Sequence, residues 1–273
     1  MKQDISQISE LLKKVYHFDI SKYDEIFLNK TIEKRISENQ FKSNNDYISY
    51  LEHNKIEADK LLKSLQNSYS EFFRNTLTFA VLERIILHTL INRKNVSHKK
   101  EIRIWSAACA SGQEVYSLAM ILDELLTGID SYINYRIFAT DKNEFQIEEA
   151  IKGIYSADLL GNLSMKRINK WFLHDSNSYS VKPELKEKID FSVFELLSDK
   201  FTSPPSSIFG DFDIVFCANL LFYYTPEYRF QILKKIRGSI HKDGYIVCGE
   251  TERDILLLYN FKEVFPYSAI FQY

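Results

Sequence analysis

From residue 102 onward the chain alternates short β-type runs with helical ones, and this alternation limits its fold more than any other feature. IRIW (102–105) precedes a helical pattern near 114–126, and YRIFA (135–139) precedes one near 144–152. DIVFCA (213–218) precedes another near 226–239, and YIVC (245–248) closes the series. Strands separated by helix-length segments pair in parallel, with the crossover helices covering the faces of the sheet. The expectation is an α/β fold with a doubly wound, mostly parallel sheet. Residues 155–195 interrupt the series, and runs such as YSV and IDFSV within them predict a small antiparallel β insert near 155–192.

Before residue 93 the periodicity is helical. Ile5, Ile8, Leu12 and Val15 recur at three- and four-residue steps, and Ala58, Leu61, Leu62 and Leu65 form a second stripe. SNND (43–46) offers an N-cap to a helix carrying Tyr47, Ile48 and Leu51. The expected division is a helical N-terminal domain over 1–92 and the α/β domain over 93–273, opened by the basic connector RKNVSHKK (93–100).

Composition narrows the function classes. With 45% hydrophobic and 26% charged residues the chain can bury an ordinary core. A formal net charge of −2 provides no global field for nucleic acid or an anionic membrane. MKQDISQISELLKK is too polar for a signal peptide, and no apolar run approaches spanning length. Cys109, Cys217 and Cys248 match no zinc or redox spacing and fall at apolar runs, so they read as buried free thiols in a reducing compartment. The expectation is a cytoplasmic monomer with no metal, no nucleic-acid partner and no membrane insertion.

In doubly wound sheets ligands bind beyond the carboxyl ends of the strands. ACASGQE (108–114) occupies that place after IRIW. Its small side chains allow close approach to the backbone, and the following helix start offers unpaired N–H groups. It matches neither the dinucleotide fingerprint nor the phosphate loop, so Glu114 suits a cationic ligand group rather than phosphate chemistry. The alternative is a tight structural joint. Asp141, closing YRIFATD, could accept from both hydroxyls of a ribose or cap the next helix. Asn219 follows an apolar strand, where its amide needs partners, and Tyr223 and Tyr224 come after it. SEFFRN (70–75) sets Arg74 among aromatics, where a cation needs an anionic partner.

Taken in order, SEFFRN, RIWSAACASGQEVYSLAMIL, IFATDKNEFQIEEAIKGIY and FDIVFCANLLFYYTPEYRFQILKKI resemble the successive motifs of the chemotaxis receptor methyltransferases, the CheR family. DGYIVCGETE resembles the family's late strand and G-x-S/T-E ending, and YSVKPELKEKIDFSVFELL its region around a small β-subdomain. The resemblance spans about Phe18 to Glu252. It implies a class I S-adenosylmethionine-dependent protein-glutamate O-methyltransferase acting on chemoreceptor cytoplasmic helices or a similar coiled-coil protein. By similarity, Ser70 and Arg74 match T-x-F-F-R. Ala108, Gly112 and Glu114 match the cofactor loop, with Glu114 facing the methionine amino group. Asp141 matches the ribose carboxylate, and Glu195 and Leu196 align with an Asn-Leu pair near the adenine. Asn219, Leu220 and Tyr223 fall in N-x-x-I-Y-F, near the transferred methyl. Arg74 and Tyr223 are the implied catalytic residues. Several positions depart from the family: Gln113 and Val115 in the loop, Glu195 for asparagine, and Ala218 where arginine is common. The family's basic early helix is thinned to Lys34 and Arg35 in TIEKRISEN. Ala218 and Glu195 leave room for two other readings, a cofactor-binding sensor or scaffold with reduced turnover and a methyltransferase with a different acceptor.

Overall fold

Ile8 and Leu12 sit four residues apart on helix α1 (Lys2–Tyr16) and are both fully buried, whereas Ile5 is half-buried and Val15 exposed, so the packed face is the middle of the predicted stripe. The computed structural model describes residues 2–66, 69–127, 132–207 and 210–273. It divides into two compact units, Met1–Asn67 with Leu221–Phe230, and Ser68–Leu220 with Gln231–Tyr273.

The first unit is all helical: α1, α2 (Glu25–Glu38), α3 (Asn44–Glu52) and α4 (Lys55–Leu65). Side-chain caps start three of them. Asp24 accepts from the Ile26 N–H, Ser43 from Asp46 and Asn54 from Glu57, each satisfying an orphan donor of a first turn. Tyr47, Leu51, Ala58, Leu61 and Leu65 join Ile8 and Leu12 in the core. Glu57 is buried among them. Its carboxylate receives Arg35 Nε at 2.9 Å and the second guanidinium nitrogen at 2.6 Å, with the Tyr47 hydroxyl at 3.0 Å. A buried carboxylate is stable only when so fully paired. Arg35, one of the two basic residues in TIEKRISEN, is therefore committed to the unit's own interior. The segment Leu221–Phe230 joins through Thr225 N–H to the Lys22 carbonyl (3.0 Å) and Asp24 N–H to the Tyr223 carbonyl (2.8 Å).

The second unit opens with one continuous helix in three parts. These are α5 (Thr76–Val81), a π-helical turn (Leu82–Ile86) and α6 (Leu87–Val96). Phe79, Leu82, Ile86, Leu87 and Leu90 of this helix share a core with Ile102, Ile104 and Leu118. Residues 76–92 thus belong to the α/β unit, whereas the sequence division at 92 set them with the helical domain.

Among the described residues the strands include all six runs read from the sequence, IRIW, YRIFA, YSV, IDFSV, DIVFCA and YIVC, and four short ones that the sequence reading did not place (154–156, 172–175, 262–263 and 270–272). In chain order the strands are β1 (Glu101–Ser106), β2 (Asn134–Asp141), β3 (Ile154–Ser156), β4 (Phe172–Asp175), β5 (Ser178–Val181) and β6 (Ile189–Val193). β7 (Phe212–Cys217), β8 (Ile240–Cys248), β9 (Lys262–Glu263) and β10 (Ile270–Gln272) complete the set. Between them run α7 (Gln113–Thr127), α8 (Glu144–Lys152), α9 (Met165–Trp171), α10 (Pro183–Lys186), α11 (Pro226–Ser239) and α12 (Arg253–Leu258). The main sheet has the order β6-β2-β1-β7-β8-β10-β9. Its first five strands are parallel, and β10 and β9 are added antiparallel. β7 is buried at every position, as a central parallel strand must be. The insert is a three-stranded antiparallel sheet, β3-β5-β4.

One expectation is corrected. IDFSV, placed by sequence in the antiparallel insert, is β6, the parallel edge strand beside β2. Its apolar and polar residues alternate, which an edge strand and an insert strand share. Tertiary partners decide between them: Phe191 packs against Tyr116 of α7, and Asp190 pairs with Arg136 across the strands. All three cysteines are free and buried. No helix among the described residues is long and apolar enough to cross a membrane.

Candidate cofactor and active site

Within the second unit, the carboxyl ends of β1, β7 and β8 and the segment before α5 line one cleft. Ser70 and Arg74 come from that segment and Thr78 from the first turn of α5, Ala108 and Ala110 from the loop after β1, Glu114 from the start of α7, and Ala218, Asn219 and Cys248 from the ends of β7 and β8. Parallel strands end together at one edge, so residues over a hundred positions apart converge there.

The loop after β1 is stitched to both neighbouring strands. The Ala107 N–H donates to the Phe216 carbonyl at 2.8 Å and the Cys109 N–H to the Thr140 carbonyl at 2.9 Å. Gly112 lies at φ +92°, and a Cβ there would sit 3.0 Å from the Cβ of Ala150. Its glycine is thus required by backbone conformation and by packing on α8, and it is not among the residues that line the cleft. Glu114, at the start of α7, is half-buried. Its Oε1 accepts from the Ser106 hydroxyl at 2.8 Å. Burial pushes its carboxyl up to about 7, against the Ser106 hydrogen bond and the Arg74 charge, which pull it down; the Glu252 charge pushes with burial. Arg74 donates one guanidinium N–H to the Tyr69 carbonyl at 3.1 Å and lies over the Tyr69 ring, 5.2 Å from its centre.

Asp141 is buried at the end of β2. It accepts from the Ala110 N–H at 3.0 Å and the Asn143 N–H at 2.9 Å, and burial raises its carboxyl above the ordinary range despite both bonds. It is not the cap of α8: that role falls to Asn143, which accepts from the Phe145 N–H. One of the two sequence alternatives for Asp141 is thereby removed. Glu195, after β6, accepts from the Leu197 N–H at 3.1 Å, and its charge adds to the upward push on Asp141. Leu196 beside it is buried.

Asn219 adopts φ +58°, and its N–H donates to Glu252 Oε2 at 2.7 Å. The same oxygen accepts from Gly249 at 2.8 Å, so the fully buried Glu252 ties the ends of β7 and β8 together. A Cβ on Gly249 would lie 2.5 Å from the Asn219 amide nitrogen, which explains the glycine. Leu220 follows, half-buried. Asn75 (φ +61°) and Ala110 (φ +46°) also line the cleft, so three non-glycine residues around it hold left-handed backbone.

Of the residues singled out by sequence, Ser70, Arg74, Ala108, Glu114 and Asn219 meet in this cleft. Asp141 and Glu195 stand together at the neighbouring strand ends, and Ala110 links Asp141 to the cleft. Tyr223 belongs to the first unit, where its ring meets Phe27 edge-on at 4.7 Å. Sequence reasoning missed Thr78, Asn75 and Cys248 and gave Glu252 no role. No spacing signal marked Thr78, since Arg74 lies before α5 and the left-handed Asn75 separates them.

A carboxylate and a guanidinium facing one cleft suit the two ends of an amino-acid zwitterion, and a buried carboxylate at the adjoining strand end suits a ribose. The residues present fit S-adenosylmethionine, whose methionyl and ribosyl parts carry those groups.

Comparison with known proteins gives the same chemistry. Residues 68–265 match the family described as CheR methyltransferase, SAM binding domain, and residues 3–65 match CheR methyltransferase, all-alpha domain. A chemotaxis protein methyltransferase of Borreliella burgdorferi is 31% identical over 255 residues, covering 90% of this chain and 87% of that protein. One from Listeria monocytogenes is 25% identical over 253 residues, covering 93% and 91%. Chemotaxis protein methyltransferase 1 of Pseudomonas aeruginosa is 33% identical over 198 residues, covering 71% and 69%. With both domains matched in order and the cofactor-binding strand ends assembled, the chain belongs to the CheR family of S-adenosylmethionine-dependent methyltransferases.

Proposed function

We propose that the protein transfers the methyl group of S-adenosylmethionine to glutamate side-chain carboxylates of chemoreceptor cytoplasmic helices, or of a similar coiled-coil protein. The observation that carries this reading is the pair of opposite charges, Glu114 and Arg74, facing one cleft at the ends of parallel strands. The relatives are named chemotaxis protein methyltransferases, which supports methylation in chemotaxis, and the glutamate acceptor follows from the motif resemblance.

When bound, S-adenosylmethionine supplies a methyl group activated on a sulfonium. Glu114 holds the ammonium of its methionyl end and Arg74 holds a carboxylate, of the cofactor or of the incoming glutamate. Asp141 accepts from the ribose hydroxyls, Glu195 and Leu196 flank the adenine, and Ser70, Ala108 and Gly112 shape the loop against the backbone. Asn219 and Leu220 border the transferred methyl, and Tyr223 orients a reacting group. A glutamate nucleophile needs only to be ionised, partly desolvated and held in line, so positioning and exclusion of water account for the catalysis.

The test is methyl transfer from tritiated S-adenosylmethionine to receptor cytoplasmic fragments of the same organism, read as base-labile esters. Esters that vanish in Arg74→Ala and Tyr223→Phe are expected. Cofactor binding without ester formation on any receptor would overturn the acceptor assignment. Ala218, which lines the cleft without a charge, favours a different acceptor in that event, and mass spectrometry of the methylated products would identify it.

A further inference from the structure

Thr78 is 1% exposed, and its hydroxyl has no hydrogen-bond partner among the described residues. Helical hydroxyls in this chain ordinarily return to the carbonyl four residues earlier. Thr31 does so to Phe27 at 2.9 Å, Thr89 to Ile85 at 2.9 Å and Ser117 to Gln113 at 2.7 Å. Thr78, in the first turn of α5, does not. It lines the same cleft as Arg74 and Glu114, and none of the polar side chains around that cleft is hydrogen-bonded to its hydroxyl. A buried hydroxyl left unmatched costs more than a made hydrogen bond gains, so it persists where something else requires it.

We propose that Thr78 is a ligand-binding residue whose hydroxyl donates to the carboxylate of the cofactor's methionyl end. The inference rests on the cofactor reading above. Glu114 already provides for the ammonium, and Arg74 provides charge for an anion, but a carboxylate has two oxygens and takes several donors. A neutral donor four residues from the guanidinium supplies one more in the same cleft.

Calorimetric titration with S-adenosylhomocysteine tests this on the wild type, Thr78→Val, Thr78→Ala and Thr78→Ser. Both variants lacking the hydroxyl should bind about five- to tenfold more weakly, with Thr78→Ser close to wild type. 5′-Methylthioadenosine lacks the amino-acid end and should bind wild type and Thr78→Val alike. Without ligand, Thr78→Val should melt about 2–4 °C higher, since a buried unmatched hydroxyl has been removed. Equal affinity of wild type and Thr78→Val for S-adenosylhomocysteine would overturn the proposal. So would an equal loss with 5′-methylthioadenosine, or a lowered melting temperature for Thr78→Val. A wild type that binds no S-adenosylhomocysteine overturns the cofactor reading itself, and this assignment with it.

Discussion

Glu114 should make cofactor binding depend on pH across the neutral range. Its carboxyl stands at about 7 in the free protein instead of the ordinary 4.5, chiefly through burial. An ammonium group pairs with the carboxylate and not with the neutral acid, so binding must expel the proton wherever Glu114 still carries one. At pH 6 about one molecule in eleven has Glu114 ionised, and at pH 8 about ten in eleven, so affinity should rise about tenfold, worth ~1.4 kcal/mol. S-adenosylhomocysteine is the suitable probe, because its neutral thioether leaves its amino group protonated throughout this window. Calorimetry in buffers of different ionisation enthalpy should also register a proton released on binding, close to one at pH 6 and about half at pH 7. Glu114→Gln should bind more weakly and show no such slope. A wild type with flat affinity between pH 6 and 8, or a slope that survives in Glu114→Gln, would refute the assignment of Glu114 to the ammonium.

The same group should weaken the unliganded fold. Because its folded pKa is raised, the folded state keeps a proton that the unfolded chain releases, so stability falls as pH rises from 4.5 to about 7 and then stays level. Glu114→Gln should therefore match wild type near pH 4.5 and exceed it by about 1–3 kcal/mol at pH 8, read by denaturant unfolding. Asp141→Ala should weaken S-adenosylhomocysteine binding by about 1–3 kcal/mol through lost hydrogen bonds. Asn143→Ala should instead cost about 1 kcal/mol of stability as a lost helix cap and leave affinity near wild type. If the two exchange phenotypes, the division of labour between them is wrong. Gly249→Ala should destabilise by at least ~1–3 kcal/mol, since its methyl would enter the space of the Asn219 amide; an unchanged denaturation midpoint would refute that packing.

The α/β architecture was legible because it rests on chain-local signals. Runs such as DIVFCA are too apolar for anything but a buried strand, and the intervening helical lengths force parallel pairing. IDFSV was not legible, because alternation specifies a half-buried strand but not its partner. Asp141 and Asn219 were found because each closes an apolar run where a strand ends, and Glu114 because it follows the small-residue loop at a helix start. Thr78 and Glu252 escaped for opposite reasons. Thr78 lies on an amphipathic helix where a threonine attracts no notice, and Glu252 acts through a buried carboxylate on backbone groups 3 and 33 residues away. Helical periodicity up to about residue 92 was visible, but not that the helix runs on to Val96 through the basic connector, nor which core it joins, since periodicity shows that a face is buried without showing against what.

The left-handed backbone of Asn75, Ala110 and Asn219 has a thermodynamic corollary. Each such conformation costs about 1–3 kcal/mol for a residue with a side chain and is rarely visited by a free chain. The rest of the fold must impose them, so the wall of the cleft acquires its shape when the unit folds, not when a ligand arrives. A ligand entering such a site has little main-chain motion left to quench. Amide exchange at these three residues should be nearly the same with and without S-adenosylhomocysteine, and differences in affinity among cofactor analogues should follow the contacts each one makes or lacks.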